Sequence, residues 1–547
     1  MTGGSRTASV LPFGDRGLVV EFADELSTEI NGCVRALSRR LHDAPGVIEV
    51  VPTLRSLLLI IDPLTADRNR LAGTALQLLQ NLLPDQDGAG RRIELPVVYG
   101  GDAGPDLADV AKMSGLTTRE AIELHSRQDY QVLMLGFAPG FPYLGIVAAP
   151  LRSPRLSTPR TRVPAGSVGI ADALTGVYPL STPGGWRLIG RTPRIIYDPR
   201  HPDPILLRPG DHVRFVPVTS AVFPEIPLGS PGLLEPAGRP AMEVRDAGLY
   251  TTVQDLGRMG SRSLGLPSAG AMDPAALQLA NLLVGNRPAA AAVECTAPGP
   301  VLRALDDVTI AVTGADLSAS LDGREVPPWT PIAMRTGQTL SFGAPRRGMW
   351  AYVGVAGGIA VAAVLGSTAT YVPGGLGGAG GRRLRAGDAL GRGEGPRRLA
   401  ASPSMSLEIP VEEAVVRVLP GPQDGWFDRA SRERFWQAAF SISVQSDRVG
   451  VRLHGPAVPA RRVEMLSDGL LPGAVQVPEA GQPIVIMPDG PTTGGYPKPG
   501  VVASADLRIV AQARPGTRIR FVPATIEQAV DALRAWEETL RRLDRES

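Results

Sequence analysis

The sequence predicts a mainly β protein that begins with a small α+β unit. Residues 17–98 alternate strand and helix patterns. After about residue 95, short apolar runs are separated by glycine and proline every few residues, a pattern typical of β-barrels with structured loops. Three segments of the first half also recur in the second half, and this repetition predicts two related barrels.

The N-terminal α+β unit is predicted from its alternating strand and helix patterns. Ser27 is the expected N-cap of a helix that ends near Leu41, and residues 66–83 form a second, amphipathic helix. The β-α-β-β-α order, followed by a further strand, is typical of a small ferredoxin-like sandwich. The predicted strands cover residues 17–22, 47–51, 57–61 and 93–98.

Three pairs of segments repeat along the chain at offsets of 306 to 310 residues. One such pair arises easily by chance, whereas three collinear pairs indicate a duplicated unit. A ligand site shared between two related halves is therefore expected. The pairs are 164–168 with 472–476, 182–186 with 492–496, and 208–217 with 514–523.

Domain divisions follow from changes in composition. One helix of the second half is marked by Asp273 as N-cap, Pro274 at its first position and Gly285 beyond its end. Thr525 caps a terminal helix with one apolar stripe. The predicted divisions are an α+β domain over 1–92, a barrel over 93–218, a Pro- and Gly-rich linker over 219–241, a β-rich domain over 242–404, a second barrel over 405–524 and the terminal helix over 525–547.

Composition narrows the class of protein. The net charge is +2 with acidic and basic residues mixed throughout the 547 residues, which argues against nucleic acid as a partner. Cys33 and Cys295 lie far apart and suit a reducing compartment rather than a disulfide framework. The N-terminus has no apolar signal segment. The apolar stretch over 350–371 favours a strand, a Gly-Gly turn and a second strand over a membrane helix. We therefore expect a cytoplasmic protein with no membrane partner.

Lysine is rare in this chain, which has 56 basic residues but only two lysines, Lys112 and Lys498. Lys498 follows a Thr-Thr-Gly-Gly-Tyr-Pro loop that lets the backbone approach a ligand closely. Its ammonium is a compact point charge, which arginine cannot replace. We expect Lys498 to line a solvent-filled site and to contribute little to stability; an ordinary loop lysine is the alternative.

The first half contains one dense loop motif, Gly-Phe-Ala-Pro-Gly-Phe-Pro-Tyr-Leu over 136–144. Its glycines expose backbone amides, and its aromatic residues form an apolar wall. Arg160 and Arg162 lie on a proline-fixed loop that suits a carboxylate or phosphate, although a buried salt bridge is equally consistent with them. His125, just upstream, is either catalytic or a satisfied histidine at a helix end.

The second half offers Gln254, Asp255 and Arg258 between two glycines, in what is expected to be a tight polar turn. Several motifs are absent from the sequence: a Walker A loop, a nucleophile elbow and a His-Glu-x-x-His zinc motif. Neither lysine lies in a Met-Lys-Met biotin-acceptor context. A Gly-rich segment over 375–380 fits the dinucleotide pattern, but no helix is predicted after it.

These motifs resemble the B and C subunits of 5-oxoprolinase over nearly the whole chain. The 136–144 loop, Val-Pro-Ala-Gly-Ser-Val over 163–168 and Ser-Thr-Pro-Gly-Gly-Trp over 181–186 resemble the B subunit. The resemblance to the C subunit rests on five segments, namely 252–258, 419–423, 446–448, 469–478 and 492–498. The chain is thus similar to a fusion of both subunits. The resemblance implies an α+β domain followed by cyclophilin-like β-barrels, which agrees with the patterns above.

The resemblance also implies a reaction, in which ATP activates the lactam of 5-oxoproline and a separate protein, similar to the A subunit of 5-oxoprolinase, completes ring opening to glutamate. Phosphorylating the lactam oxygen makes the ring carbon electrophilic, and cations around the phosphoryl group are what this step requires. ATP and Mg²⁺ are the expected cofactors, with no biotin on this chain, and a homo-oligomer is possible. Biotin-dependent carboxyl transfer to urea or a similar amide, and a non-catalytic module that regulates a kinase, remain alternatives.

The residues assigned to the site by the motifs and the resemblance fall into two groups. Lys498 and His125 are the predicted catalytic residues, and no metal ligand is predicted. The predicted substrate- or nucleotide-binding residues are Phe137, Gly140, Phe141, Tyr143, Arg160, Arg162, Ser167, Gly184, Gly185, Trp186, Gln254, Asp255, Arg258, Gln476, Asp489, Thr493, Gly494, Gly495 and Tyr496.

Overall fold

The structure is a computed structural model that describes residues 8–85, 90–394, 407–463 and 465–546. The predicted division between residues 404 and 405 lies outside the described residues. The fold class is confirmed: the chain is mainly β, with two closed seven-stranded barrels and an α+β unit at the N-terminus.

The N-terminal unit is a four-stranded antiparallel sheet, in the order β1-β2-β4-β3, with two helices packed on one face. Ser27 caps the first helix as predicted, accepting the Ile30 N–H at 3.4 Å. The bounds are β1 Ser9–Phe13, β2 Gly17–Glu21, α1 Thr28–Leu41, β3 Val47–Pro52, β4 Ser56–Ile61 and α2 Arg68–Gln80.

The first barrel follows directly. Its strands close in the order β10-β7-β6-β13-β5-β12-β9, and β13 lies parallel to β5. A two-stranded sheet of β8 and β11 lies beside it. The bounds are β5 Arg92–Tyr99, α3 Leu107–Met113, α4 Thr118–Ser126, β6 Asp129–Leu135, β7 Pro142–Leu144, β8 Arg160–Val163, β9 Ser167–Ala171, β10 Leu174–Val177, β11 Thr182–Gly184, β12 Arg187–Arg191 and β13 His212–Pro217.

The third unit consists of a seven-stranded sheet, a five-stranded sheet and one helix. Asp273 caps that helix as predicted, accepting the Ala276 N–H at 3.0 Å. The bounds are β14 Arg239–Asp246, β15 Tyr250–Gln254, α5 Pro274–Leu283, β16 Ala292–Thr296, β17 Val301–Ala304, β18 Val308–Asp316, β19 Ser320–Leu321, β20 Arg324–Glu325, β21 Pro331–Met334, β22 Thr339–Ser341, β23 Arg347–Val355, β24 Ile359–Ala360 and β25 Ala389–Arg392.

The second barrel repeats the first. Its strands close in the order β26-β33-β30-β31-β28-β27-β34, with β34 parallel to β26 and a two-stranded β29–β32 sheet beside it. The three predicted segment pairs fall on matching strands, so the internal repeat is confirmed. The bounds are β26 Glu413–Pro420, α6 Arg429–Gln437, β27 Ala439–Ile442, β28 Gly450–His454, β29 Asp468–Gly469, β30 Ala474–Gln476, β31 Ile484–Ile486, β32 Thr493–Gly494, β33 Gly500–Val502, α7 Leu507–Gln512, β34 Arg518–Pro523 and α8 Ile526–Glu546.

Two apolar clusters join the two halves of the chain. Phe13, Val51, Leu58 and Ile60 of the N-terminal sheet pack on Leu470, Leu471, Ala474, Ile486 and Val501 of the second barrel. The core of the first barrel continues into Leu266, Ala269, Tyr371 and Leu376 of the third unit. Residues 219–238, between β13 and β14, contain no helix or strand. Each half therefore buries apolar surface of the other.

Three details differ from the sequence prediction. β1 is an additional strand that pairs with β2, because Phe13 anchors it in the cluster with the second barrel. The strand predicted over 93–98 forms as β5, but it pairs with β13 and β12 of the barrel rather than with the N-terminal sheet. α3 and α7 are short helices that the periodicity did not indicate. Among the described residues, none of the helices combines the length and the apolar character needed to cross a bilayer.

Candidate active site

Lys498 forms a buried ion pair with Asp468. Its Nζ donates to Oδ1 at 2.8 Å and to Oδ2 at 2.9 Å, and it lies 3.4 Å from the Tyr496 carbonyl oxygen. Asp468 belongs to β29, which pairs with β32 in the loop that leads to Lys498. The lysine is 0% exposed, so the expectation of a solvent-lined side chain is wrong. An ammonium taken out of water requires such a partner.

The N-terminal unit also contributes to the surroundings of this pair. Gln423, which follows β26, donates from Nε2 to Asp468 Oδ2 at 3.3 Å and lies 3.5 Å from Glu21 Oε1 at the end of β2. Burial raises the pKa of Glu21, and the charge of Asp468 acts in the same direction against the opposing Arg55. Burial also raises the pKa of Asp468, opposed by the Lys498 ammonium. Two carboxyl groups, an amide and an ammonium thus meet between the N-terminal unit and the second barrel.

The mouth of the first barrel is aromatic. Phe137, Phe141, Tyr143, Tyr178 and Trp186 form a chain of edge-to-face ring contacts with centroids 5.1–6.4 Å apart. Phe137 has a backbone φ of 64°, which a bulky residue rarely adopts, and its side chain is 43% exposed. A large apolar ring held in the left-handed region and exposed at a barrel mouth is typical of a ligand-contact residue.

The two barrels meet through this mouth. The Phe137 N–H donates to Thr493 Oγ1 at 3.1 Å, and the Tyr143 hydroxyl interacts with the side chains of Ser467 and Thr493. Leu466 packs against the aromatic cluster. The loop that precedes Asp468 and the loop that precedes Lys498 therefore both contact the first barrel.

The arginines of the first half have different surroundings. Arg160 Nη2 donates to Asp106 Oδ1 at 2.7 Å, while its Nη1 has no hydrogen-bond partner among the described residues. Arg162 donates from Nε to Ser181 Oγ at 3.1 Å in an exposed position. Arg155, which the motifs did not single out, interacts electrostatically with Tyr143 and Tyr178. Positive charge therefore lies around the aromatic mouth, although Arg160 is paired with Asp106 and Arg155 with Asp172.

The repeat relates two ion pairs of opposite polarity. Arg160 lies opposite Gly184 in the β8–β11 sheet, and Asp468 lies opposite Gly494 in the β29–β32 sheet. The first barrel thus places a cation, paired with Asp106, where the second places an anion, paired with Lys498. The two repeated units therefore share the geometry of this small sheet but differ in the sign of the charge at this position.

Several buried polar atoms near these groups lack hydrogen-bond partners within the described ranges. Gln476 Nε2 is a free donor beside Gly494, and Gln423 Oε1 is a free acceptor beside Asp468. Thr492 Oγ1 and Thr182 Oγ1 occupy corresponding positions in the repeat and are likewise free. Buried polar groups in native proteins are normally satisfied, so this concentration indicates water or a polar ligand.

Several of the other predicted residues lie close to the groups described above. Gly140, Gly185, Gly495 and Tyr496 lie in loops, Gly184 ends β11, and Ser167 is buried in β9 of the first barrel. Gly140 has a φ of 70°, and its N–H donates to the Leu264 carbonyl oxygen at 2.9 Å, so it connects this loop to the third unit.

His125 lies in the core of the first barrel. Its ring nitrogens interact with the Tyr99 hydroxyl at 2.8 Å and with Thr175 Oγ1 at 3.0 Å. The ring stacks on Phe215, and burial lowers its pKa to about 3. The structure therefore gives His125 the surroundings of a satisfied core histidine, the alternative that the sequence left open.

Gln254, Asp255 and Arg258 pack within the third unit, and Asp489 lies where the second barrel meets that unit. Asp255 accepts hydrogen bonds from Ser367 and Thr368, and Arg258 donates to the Val364 and Ala369 carbonyl oxygens. Asp489 forms a bidentate pair with Arg448, which also contacts Glu294. These contacts join loops of the same half, and none of them involves the Lys498–Asp468 pair.

No site role was predicted for Asp468, Gln423, Glu21 or Arg155. Asp468 stands in a Ser-Asp-Gly segment that is also typical of a turn, and Gln423 stands in a Leu-Pro-Gly-Pro-Gln segment. Asp468 had one available signal, since the repeat aligns it with Arg160. Within the described ranges, no group of three His, Cys, Asp or Glu side chains is arranged to hold a metal ion.

Comparison with known proteins identifies the family. The model for the carboxyltransferase domain, subdomain C and D, matches residues 8–207, and that for subdomain A and B matches residues 264–523. The 5-oxoprolinase C subunit of Escherichia coli (strain K12) is 42% identical over 313 residues, which are 56% of this chain and 100% of that protein. The 5-oxoprolinase B subunit of Escherichia coli O157:H7 is 45% identical over 212 residues, 38% of this chain and 95% of that protein.

The chain belongs to the family of the 5-oxoprolinase B and C subunits. Its first half corresponds to the B subunit, its second half to the C subunit, as in a fusion of the two. The crystal structure of TTHA0988 has the same overall fold, with a TM-score of 0.83 and 39% identity over 93% of this chain and 99% of that one. Urea amidolyase of Saccharomyces cerevisiae is 33% identical over 56% of this chain, which is only 18% of that protein.

Proposed function

We propose that this protein is the fused B and C component of an ATP-dependent 5-oxoprolinase, with its substrate site between the aromatic mouth of the first barrel and the Lys498–Asp468 pair. One observation carries the proposal. The two halves, each similar to a whole 5-oxoprolinase subunit, meet through the Phe137–Thr493 hydrogen bond at this point. A site shared by two subunits explains why they act together and why a fusion is tolerated.

The polar groups suit a lactam that carries a carboxylate. 5-oxoproline presents a carbonyl acceptor, an amide donor and an anionic group on a compact ring. Gln476 Nε2 is an unpaired donor and Gln423 Oε1 an unpaired acceptor among the described residues, and Arg155 and Arg160 supply positive charge. Phe137 offers an apolar face for the ring. Such a mixed lining orients a small polar ligand.

Nucleotide and magnesium fit this site partly. ATP would supply the phosphoryl group that makes the lactam carbon electrophilic. The free Nη1 of Arg160 and the exposed Arg162 are the groups of this chain that would hold phosphate oxygens. Magnesium would be held largely by phosphate and water, as is usual for this ion.

Lys498 has a different role in this proposal from that of a direct phosphate ligand. Asp468 occupies its ammonium with both carboxylate oxygens. The ion pair fixes Asp468 beside Gln423. Lys498 therefore acts as a positioning residue, and its buried charge lies next to the proposed substrate site. Glu21, whose pKa is raised by burial, would hold or release a proton at its carboxyl oxygen beside Gln423.

The test measures ATP hydrolysis and glutamate release by the purified chain, with 5-oxoproline and with urea, in the presence and absence of a protein of the 5-oxoprolinase A type. We expect ATP consumption that depends on 5-oxoproline, and full glutamate release only with the added protein. Asp468→Asn should lower the rate about 10²- to 10³-fold, the scale of a lost preorganised charge. Asp43→Asn, at a carboxylate that is 94% exposed, is the matched control.

Two other functions give different outcomes in this assay. Carboxyl transfer to urea would need biotin carried by another chain, since Lys498 is buried and Lys112 lies in α3. It would show urea-dependent consumption of carboxybiotin and no effect of 5-oxoproline. A kinase-regulating module would consume no ATP with either compound. Either result replaces the 5-oxoprolinase proposal.

A further inference from the structure

A second cleft lies outside the candidate active site. It has a volume of about 890 Å³ and opens between the N-terminal sheet, the third unit, the second barrel and α8. This volume is within the range of small-molecule sites. None of Lys498, Asp468, Tyr143 and Thr493 lines it, so the cleft is a separate feature of the fold.

The walls of this cleft are mainly apolar. Side chains from four separate parts of the chain contribute, and two of them, Ile48 and Met259, are 39% and 49% exposed at its rim. Trp536 of α8 closes one side, held by a 2.9 Å hydrogen bond from its Nε1 to Gln278. The cleft therefore combines apolar surface with a wall fixed in place.

Arg262 is the unusual polar residue of the cleft. It lies in the short turn Arg262–Leu264 and is 2% exposed. Its Nη2 donates to the Leu470 carbonyl oxygen at 2.7 Å, but its Nε and Nη1 have no hydrogen-bond partner among the described residues. Glu49 accepts the backbone N–H of Arg262 and attracts its charge without bonding to the guanidinium. A buried guanidinium with two free donor atoms requires an acceptor.

The acidic residues of the cleft do not supply that acceptor. Asp15 accepts from the Ser504 N–H and hydroxyl, and Asp62 accepts from Leu64 and Thr65. Asp506 is held by Arg417 in a two-point ion pair. Glu537, on α8, is the remaining acidic residue of the lining. Arg16, in the same lining, has an unpartnered buried Nε as well. Among the lining residues of the cleft, the unpartnered buried side-chain atoms are thus hydrogen-bond donors on arginine, whereas Glu49, which is outside the lining, has an unpartnered acceptor at Oε2.

We propose that this cleft binds a small amphipathic carboxylate, whose anionic end pairs with Arg262 and whose apolar body lies along Met259, Leu533 and Trp536. An arginine fork presents two parallel N–H groups to a carboxylate. The apolar walls would bury the remainder of the ligand. This site goes beyond the proposed lactam site, and its ligand needs no phosphoryl chemistry.

The test is calorimetric titration of the whole chain with straight-chain alkanoates from butyrate to decanoate, below their aggregation concentrations. Burial of each added methylene contributes about 0.8 kcal/mol to the free energy of binding. The dissociation constant should therefore fall about three- to fourfold per carbon until the cleft is filled. Octylammonium, with the same body and the opposite charge, should not bind. Saturating 5-oxoproline should leave the octanoate affinity unchanged.

Variants locate the site. Arg262→Met should weaken octanoate binding roughly 10- to 100-fold, the effect of a lost charged hydrogen bond. Met259→Glu, at a half-exposed position that leaves the fold intact, should weaken it by repulsion even if Arg262→Met proves unstable. Arg119→Met, at a side chain that is 87% exposed in α4, is the control and should bind normally. Absence of binding, affinity independent of chain length, competition by 5-oxoproline, or an unchanged affinity in Met259→Glu would each overturn the proposal.

Discussion

Lys498 is one of the chain's two lysines, and its surroundings explain why arginine does not replace it. The ammonium fits into a fully buried position bounded by Asp468, the Tyr496 carbonyl oxygen and the Phe13 ring, whose centroid lies 6.0 Å away. A guanidinium is larger and planar and would have to displace one of these groups. The scarcity of lysine in the sequence drew attention to Lys498 but did not indicate its buried partner.

Lys498→Ala should lower both stability and activity. Removing one member of a buried ion pair leaves an uncompensated charge and costs about 3–5 kcal/mol. The thermal unfolding midpoint, measured by circular dichroism, should therefore fall clearly, and 5-oxoproline-dependent ATP consumption should fall about 10²-fold or more.

A double variant separates the two effects. Lys498→Met combined with Asp468→Asn removes both charges, so most of the lost stability should return while activity stays low. If activity returns together with stability, the pair is structural only. Lys498→Arg keeps the charge and should be unstable because of its size.

His125 gives a prediction about pH. Its pKa of about 3 in the folded chain lies below the value of about 6.5 expected for an unfolded chain. The unfolded state therefore binds a proton first as the pH falls below about 6.5, and the folded state loses about 1.4 kcal/mol per pH unit in this window. In His125→Gln, the unfolding midpoint should fall less between about pH 7 and pH 5 than in the unaltered chain. Equal slopes in the two proteins would contradict the neutral, buried state of the ring.

Residue roles were the least predictable feature of the sequence, for a physical reason. Asp255 and Asp489 stand in polar glycine-rich segments, as Asp468 does, yet the first two satisfy backbone and arginine donors within one half. The sequence of a loop specifies its turn chemistry. Which acidic group faces a lysine depends on how distant strands pair, and that is set by the whole fold.

At the scale of elements, periodicity and caps predicted most helices closely. Ser27, Asp273 and Thr525 each cap the helix expected of them, because a side-chain oxygen satisfies an otherwise free N–H. α3 and α7 have seven and six residues, too few for a periodic stripe to be distinguished from a loop. The short barrel strands, of three to five residues, were not predicted one by one. The frequent turns predicted that a barrel was present, and the internal repeat indicated which segments of the two barrels correspond.

The turn Arg262–Leu264 positions the Phe137 loop, because the Leu264 carbonyl oxygen accepts the Gly140 N–H. Gly265, the next residue, has a φ of 76°, and a Cβ there would lie 2.6 Å from the Ala138 carbonyl oxygen. Gly265→Ala should therefore strain its own backbone and displace the loop. We expect a raised KM for 5-oxoproline.

Gly260→Ala is the matched control for this change. Gly260 has a φ of 84° but open space around its Cβ position, so alanine there has the backbone strain alone, about 1–2 kcal/mol. Its KM should stay unchanged in the same steady-state assay. If both variants raise KM equally, the loop contact has no special role.

At the scale of the whole molecule, β4 explains how the halves hold together. Its Leu57, Leu59 and Ile61 face the helices of the N-terminal unit, whereas Leu58 and Ile60 face the second barrel. Both faces of the strand are buried, so its sequence is a continuous apolar run rather than an alternation. That run was visible in the sequence and predicted a strand, but the second buried face and its partner are identified only by the fold.

Separating the chain at Val222, which is 90% exposed between the halves, should give two pieces that co-purify after co-expression. Fully burying each leucine, isoleucine or valine contributes about 1.5–3 kcal/mol, and two apolar clusters span the junction.

Leu58→Glu tests whether the apolar cluster holds the two pieces together. Its side chain points away from the core of its own unit and packs closely on Gly469 of the second barrel. A Cβ atom built on Gly469 would lie only 2.8 Å from the Leu58 side chain. The first piece should remain folded by circular dichroism but no longer bind the second, because a carboxylate cannot enter that cluster without losing its hydration. Ile48→Glu, at the exposed rim of the cleft, is the control and should leave the two pieces associated. Dissociation in Ile48→Glu but not in Leu58→Glu would show that contacts other than the Leu58 cluster hold the pieces together.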